Sequence, residues 1–310
     1  MSDGTAQRVL VIKLGALGNV VLSLGAFAAI REHHADARIS VLTTPPFADW
    51  LAASPYFDEV LIDHRPALWD LPGLSRLRRT LVGGRFDRVY DLQTSGRSSR
   101  YLQLFPAARR PEWSGIAFGA SHPDRNPMRN LLHDLERQGS QLQQAGIPHV
   151  PPPDLSWCRG DVARFGLPSA YALLVPGSSP HRPEKRWPAA SFCRLAGVLA
   201  EQGVQPVVLG GAREQALARE IAPAIDLTGR TDFGDLCDLA RGASFAVGND
   251  TGPMHLTAAV GCRSVVLFSD ASDPALCAPR GRSVVVLRRP DLADLDISDV
   301  LAALPAAADA

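Results

Sequence analysis

The sequence predicts an α/β protein of two domains, each holding a parallel sheet covered by helices on both faces. Three observations carry that prediction. Short apolar runs alternate with longer helix-patterned stretches along the chain. The alternation starts afresh in the second half, after Val150-Pro151-Pro152-Pro153-Asp154, which is too proline-rich for a helix or a central strand. The length of 310 residues, 46% of them hydrophobic, suits two cores of ordinary size. The domains are therefore expected at 1–150 and 151–310.

The first strand is expected at 8–13, where Arg8-Val9-Leu10-Val11-Ile12-Lys13 runs into the glycine-containing turn from Leu14 to Asn19. A helix follows near 19–33. Apolar runs then place strands at 38–43, 58–62 and 87–91, with helices near 70–82 and 129–145. In the second half, strands are expected at 171–175, 205–209, 244–247 and 264–268, and helices near 189–202, 212–222, 232–241 and 253–260. Two Rossmann-like domains facing one another across a cleft would gather the turns at their strand C-terminal ends around one ligand.

The most informative turn is Val247-Gly248-Asn249-Asp250-Thr251-Gly252-Pro253-Met254-His255. An apolar strand ends there and an Ala-rich helix begins. Asp250 and Thr251 are cap-forming types, and Pro253 has the fixed φ and missing N–H that suit a first helical turn. Free N–H groups at such a helix start carry partial positive charge and accept a diphosphate, although an ordinary capped helix has the same pattern. His255, one turn in, favours the ligand.

Only two of the 32 basic residues are lysines, and both fall at strand-to-loop junctions: Lys13 after the first strand, and Lys185 after the turn Pro176-Gly177-Ser178-Ser179. A compact ammonium differs from a planar guanidinium where a point charge must approach phosphate. Lys13 is open to the plainer reading of flanking a strand.

Formal net charge is zero, so no global field points to nucleic acid. Residues 1–150 carry 17 basic and 14 acidic groups and residues 151–310 carry 15 and 18, which leaves a small positive surplus for an anionic partner in the first half. Cysteines 158, 193, 237, 262 and 277 show no CxxC pair and no ligand-like spacing with histidine, as expected of reduced, mostly buried thiols in a cytosolic protein. Neither a signal-peptide pattern nor a bilayer-spanning apolar run is read, so the chain is expected to be soluble, at most resting on a membrane. The turn Gly15-Ala16-Leu17-Gly18 lacks the full G-x-G-x-x-G fingerprint, and no acidic residue closes a second strand, which speaks against a nicotinamide-dependent dehydrogenase.

An ordered set of segments resembles glycosyltransferase family 9, the bacterial heptosyltransferases that use ADP-heptose to build the lipopolysaccharide core. The set comprises Arg8 to Lys13 with the turn to Asn19, Tyr90-Asp91-Leu92-Gln93, Val175-Pro176-Gly177 with Lys185-Arg186-Trp187-Pro188, and Gly210-Gly211 with Glu214. It continues through Leu227-Thr228-Gly229-Arg230-Thr231, Gly248 to His255, and Leu267-Phe268 with Asp273-Pro274. The resemblance implies a GT-B fold and inverting, metal-independent transfer from an ADP-sugar, heptose being the expected sugar, with no cofactor. No Asp-x-Asp metal motif is assigned, so the leaving diphosphate is expected to be met by protein groups. These are the N–H groups of Thr251 and Gly252, with Lys185 as a mobile cation; the resemblance further implies that Asp250 helps hold the donor and that His255 lies close to the phosphates. Glu214 matches a position that contacts the nucleoside, unless it only complements a helix dipole.

The family's catalytic base is an aspartate at the end of the N-terminal glycine turn, where this chain has Asn19. An amide takes up no proton at any working pH, so that role does not carry over. Asp91, and the loop residues His122 and Asp124, are candidate replacements. A catalytically silent member that binds nucleotide-sugar or glycan is the rival reading. By analogy with the fold, the first domain is expected to bind an anionic glycan or glycolipid acceptor. Lys13, Arg97, Arg100, Arg125 and Arg129 are the candidate contacts; Trp113 could stack on a sugar, but core packing suits it better.

Overall fold

Unbroken aliphatic runs become the central strands, and Pro, Gly and Asp residues punctuate them. The computed structural model describes residues 6–179 and 181–304, and the chain divides into two units, Met1–Pro153 and Asp154–Ala310. Unit 1 runs β1 (Arg8–Ile12), α1 (Leu17–Val21), α2 (Leu24–His33), β2 (Arg38–Thr43), α3 (Ala48–Ala52), β3 (Glu59–Ile62), α4 (Leu71–Gly83), β4 (Arg88–Asp91), α5 (Gly96–Ser99), β5 (Glu112–Gly115), β6 (His122–Pro123) and α6 (Asp134–Gln144). Unit 2 runs β7 (Tyr171–Val175), α7 (Ala189–Glu201), β8 (Gln205–Val208), α8 (Gln215–Ala218), β9 (Ile225–Asp226), α9 (Phe233–Gly242), β10 (Phe245–Asn249), α10 (Gly252–Ala259), β11 (Ser264–Phe268), α11 (Pro274–Cys277), β12 (Val284–Arg288) and α12 (Ile297–Ala302).

Both sheets are parallel and share one topology. The first reads β3-β2-β1-β4-β5-β6, and the second, from its other edge, β9-β8-β7-β10-β11-β12. In each unit the order reverses between the first strand and the fourth. At that point the helices depart to opposite faces, and a crevice opens beyond the strand C-terminal ends. The switch points lie between β1 and β4, paired from Val9↔Arg88 to Ile12↔Asp91, and between β7 and β10, paired from Ala172↔Phe245 to Val175↔Gly248.

The central strands are covered on both faces, so their apolar residues run continuously instead of alternating. Val9, Leu10, Val11 and Ile12 are fully buried. In unit 1, Leu10, Ile12, Leu77, Leu81, Phe105 and Trp113 form a core on the α4 face, so Trp113 is a packing residue. In unit 2, Leu174, Trp187, Phe192, Leu195, Val247 and Leu267 pack together with Leu295 and with Val300 of α12.

Three expected helices differ in detail. The helix read at 19–33 is two helices, broken at Leu22 and Ser23, where the Ser23 hydroxyl bonds back to the Asn19 carbonyl at 2.7 Å. The helix read at 129–145 begins at Asp134, because the His133 ring accepts the Leu135 amide and caps it there. The helix read at 212–222 shrinks to one 3₁₀ turn and α8, since Glu214 folds back onto the Gly211 amide. Short elements went unpredicted: α3, α5, β5, β6, β9, α11, β12 and α12 are two to six residues each.

Candidate functional site

The switch point of unit 2 collects the expected donor residues. Asn249, the last residue of β10, is fully buried and joins two loops to the strand: its Oδ1 accepts the Trp187 amide at 3.0 Å, and its Nδ2 donates to the Pro176 carbonyl at 2.7 Å. That double bond-making brings the segment after β7 and the segment before α7 to the mouth of α10. Asp250 follows, nearly buried. Its Oδ2 accepts the Lys185 ammonium at 2.6 Å and the Ser272 hydroxyl at 2.7 Å. Lys185 sits on a single 3₁₀ turn, Pro183–Lys185, and its side chain is 14% exposed. An ammonium has three N–H donors, so pairing with Asp250 fixes its place and leaves donors for an anion.

Thr251 caps α10 with extended backbone and no side-chain bond to the helix. The Thr251 and Gly252 amides donate to no acceptor among the described residues, and Pro253 has none to offer. His255 lies buried on the same helix. Close packing of the turn onto β7 requires Gly248: a Cβ there would lie 2.6 Å from the Val175 Cβ and 2.7 Å from the Met254 Sδ.

Glu214 approaches from the β8 side. Its Oε2 takes the Gly211 amide at 2.8 Å, and its stem lies against Gly177 and Gly210, where an added Cβ would come within 2.9 Å of it. The carboxylate therefore both caps its own turn and stands beside the Pro176-Gly177 loop that Asn249 holds. The structure brings Lys185, Asp250, Thr251 and Gly252 together directly, and places Glu214 on the same edge of the sheet.

At the switch point of unit 1, Lys13 and Asp91 end β1 and β4. Both are enclosed, Lys13 at 5% and Asp91 at 0% exposure. The Lys13 ammonium donates to the Leu92 carbonyl at 3.0 Å. Burial lowers its pKa from 10.5 to about 7, with Arg137 and Arg129 adding to the fall and Asp91 opposing it. Asp91 Oδ1 accepts the Thr94 amide at 3.0 Å. Burial raises its pKa from 3.8 to about 6, against the lowering effect of the Thr94 amide, the Ser98 hydroxyl and the Lys13 charge. Thr94 itself has φ of 43°, an uncommon conformation for a β-branched residue.

Asn19 is exposed on α1, beyond the loop that Lys13 begins. That loop is anchored at the Leu14 carbonyl, which accepts Thr44 Oγ1 at 3.1 Å and Arg65 Nη2 at 2.7 Å, while the Leu14 amide donates to Gln93 Oε1 at 2.8 Å. Arg97 reaches the Pro66 carbonyl at 3.1 Å, and Arg100 is exposed nearby on the next turn. Arg125 is exposed, at the far edge of the sheet. Arg129 pairs with Asp124 at 2.7 Å, and the Asp124 side chain is fully enclosed. Asp124, a candidate replacement base from the sequence, is thus an enclosed carboxylate tied to Arg129. The His122 ring meets the Ser121 hydroxyl at 3.0 Å.

Sequence reasoning passed over Asn249, Ser272 and Arg65. Asn249 lay inside the key turn, but its role depends on loops 62 and 73 residues away. It also passed over Asp294-Leu295-Asp296, the chain's one Asp-x-Asp triplet; there Asp296 caps α12 through the Ser298 amide at 2.8 Å. Among the described residues no three His, Cys, Asp or Glu side chains are grouped to hold a metal, and no helix is long and apolar enough to cross a membrane. Cys158, Cys237 and Cys262 are buried, and Cys193 and Cys277 are partly buried.

Comparison with known proteins bears on this geometry. Lipopolysaccharide heptosyltransferase 2 of Escherichia coli (strain K12) is 24% identical over 91% of this chain and 88% of its own length. Lipooligosaccharide heptosyltransferase 2 of Haemophilus ducreyi is 29% identical over the same shares. The solved E. coli ADP-heptose lps heptosyltransferase II matches with a TM-score of 0.78 at 22% identity, covering 96% of this chain and 97% of that one. A family 9 glycosyl transferase from Veillonella parvula gives 0.81 at 20% identity, covering 96% and 95%. These structures establish the GT-B fold class, two Rossmann-like units in one chain. The sequence model of glycosyltransferase family 9 (heptosyltransferase) matches residues 74–302. The chain belongs to that family.

Proposed function

We propose that this glycosyltransferase moves a sugar, heptose being the expected one, from an ADP-sugar to a lipopolysaccharide-core or related anionic glycan acceptor, by an inverting mechanism that needs no metal. Unit 2 binds the donor and unit 1 the acceptor, in the cytoplasm at the inner face of the inner membrane, in peripheral contact with it. The observation that carries the donor half is the cluster at the start of α10, where the Lys185 ammonium, positioned by Asp250, stands with the free Thr251 and Gly252 amides. Such a cluster meets the charge of a leaving nucleoside diphosphate without reorganising, which is where electrostatic catalysis gains most. His255 lies on the same helix, and in this reading Glu214, which also takes the Gly211 amide, accepts from a ribose hydroxyl. Among relatives, one E. coli heptosyltransferase was solved with ADP-2-deoxy-2-fluoro heptose (TM-score 0.71, 22% identity), a donor of the class proposed here.

Asn19 supports a second reading, a catalytically silent member that binds donor or glycan without turnover. A neutral amide at that position orients an acceptor hydroxyl but cannot deprotonate it. Asp91 lacks the exposure a direct base requires. Lys13 is enclosed in the same way, so in the working enzyme Arg97, Arg100 and Arg125 serve the acceptor's anionic groups, and transfer runs on positioning and leaving-group stabilisation.

Calorimetric titration with ADP, UDP and GDP, without metal, tests the donor site. Binding selective for ADP is expected, weakened roughly tenfold to a hundredfold by Lys185→Ala, as for loss of a hydrogen bond to a charged group. Failure to bind any of the three would remove the donor assignment.

A further inference from the structure

Seven of the eight large apolar side chains exposed among the described residues belong to unit 1. Three stand within four residues of one another at the start of α4: Leu68, Trp69 and Leu71, at 61%, 86% and 71% exposure. An isolated exposed leucine is ordinary, but a tryptophan flanked by two leucines is a patch. Helix geometry explains why Leu71 has no partner. The buried residues of α4 are Gly73, Leu77 and Leu81; at 100° per residue, Leu71, Ser75, Arg78 and Arg79 fall on the opposite side, and all four are exposed. Leu68 also walls an apolar cleft of about 420 Å³, with Leu74, Tyr101 and Leu104, and with Arg97 and Arg100 beside them.

Charge selects what covers this face. Arg78 and Arg79 on the exposed side of α4, with Arg97 and Arg100 beside the cleft, stand against one carboxylate there, Asp70, which accepts the Gly73 amide. A second copy docking through the same face would set like charge against like. An anionic bilayer meets both features: tryptophan favours the headgroup layer, leucines enter the acyl boundary, and arginines pair with lipid phosphates. We propose that this face of unit 1 is a peripheral docking site for an anionic phospholipid bilayer, with Leu68, Trp69 and Leu71 entering the interfacial layer and Arg78 and Arg79 meeting lipid phosphates. The inference deepens the reading of a membrane-borne acceptor and takes its biological sense from it. Its test contains neither donor nor acceptor, so the ADP titration and the docking measurement fail independently.

The full chain is sedimented with vesicles of phosphatidylcholine alone and of phosphatidylcholine mixed equally with phosphatidylglycerol. Binding to the anionic vesicles is expected to be about tenfold tighter or more, and to fall as salt is raised. Trp69→Ser with Leu71→Ser, and separately Arg78→Gln with Arg79→Gln, are each expected to weaken it about tenfold or more. All four side chains are exposed, so the variants keep their core. Trp69 fluorescence shifts to the blue on anionic vesicles, and the shift is absent from Trp69→Phe. Equal binding to both vesicle types, no binding, or binding that both double variants leave intact overturns the proposal. So does self-association that Trp69→Ser abolishes, which would make a second copy the occupant.

Discussion

In the proposed function, residue 19 decides whether the proposed donor site has chemistry to serve. Asn19 is exposed at the end of the first glycine turn, so aspartate fits there without burying a charge. Asn19→Asp is expected to raise ADP release in the presence of an acceptor extract by a hundredfold or so, the usual scale of a general base. Intact ADP binding with no gain in release would favour the silent module. Asp91 makes a different claim, about stability. Its folded pKa of about 6 lies above its ordinary 3.8, so between those pH values the folded chain holds a proton that the unfolded chain has released. The stabilising effect of the neutral carboxyl is complete below pH 3.8 and is lost as pH rises through 6. Asp91→Asn keeps the neutral form throughout. Urea unfolding from pH 4 to 7 should show the variant gaining on the parent as pH rises, by at most about 3 kcal/mol.

At the scale of elements, the strand–turn–helix unit β10–α10 depends on two small features. Gly248 lets α10 close onto β7, and Asn249 satisfies one donor and one acceptor from distant loops. Asn249→Ala leaves the Trp187 amide and the Pro176 carbonyl buried without their partner, at a cost of about 1–3 kcal/mol for each group. The midpoint of denaturant unfolding should fall accordingly, and ADP binding should weaken with it, because the loop carrying Lys185 hangs on the same bonds. The unit was plain in the sequence as an apolar strand, a Gly-Asn-Asp-Thr-Gly-Pro turn and an apolar helix. The helices that ran differently, 19–33 and 212–222, were altered by single side-chain bonds, Ser23 to the Asn19 carbonyl and Glu214 to the Gly211 amide. A hydrophobic pattern does not register such bonds, since they compete with the helix locally and involve no apolar residue.

For the whole molecule, two units of one topology give two switch points, one bearing Lys13 and Asp91 and the other Asn249 and Asp250. A ligand that uses only the second should stabilise unit 2 selectively. Hydrogen exchange of the intact chain with ADP in about hundredfold excess over its dissociation constant is expected to slow amides at 211–214 and 250–256, by up to the roughly hundredfold that such saturation allows, and to leave β1 and β4 unchanged. Slowing at β1 and β4 alone would relocate the nucleotide to unit 1. The sequence by itself determined the α/β class, the restart after the proline run, the central strands and the strand–turn–helix form of 247–255, because those depend on short-range periodicity and on the backbone preferences of Gly, Pro and Asp. Tertiary structure alone decided the strand order, the pairing of Lys185 with Asp250 and Ser272, the burial of Asp91, the enclosure of Asp124 and the apolar-basic face of α4. Each of these depends on which distant segments meet, and burial, pKa and exposure follow from that meeting instead of from residue type.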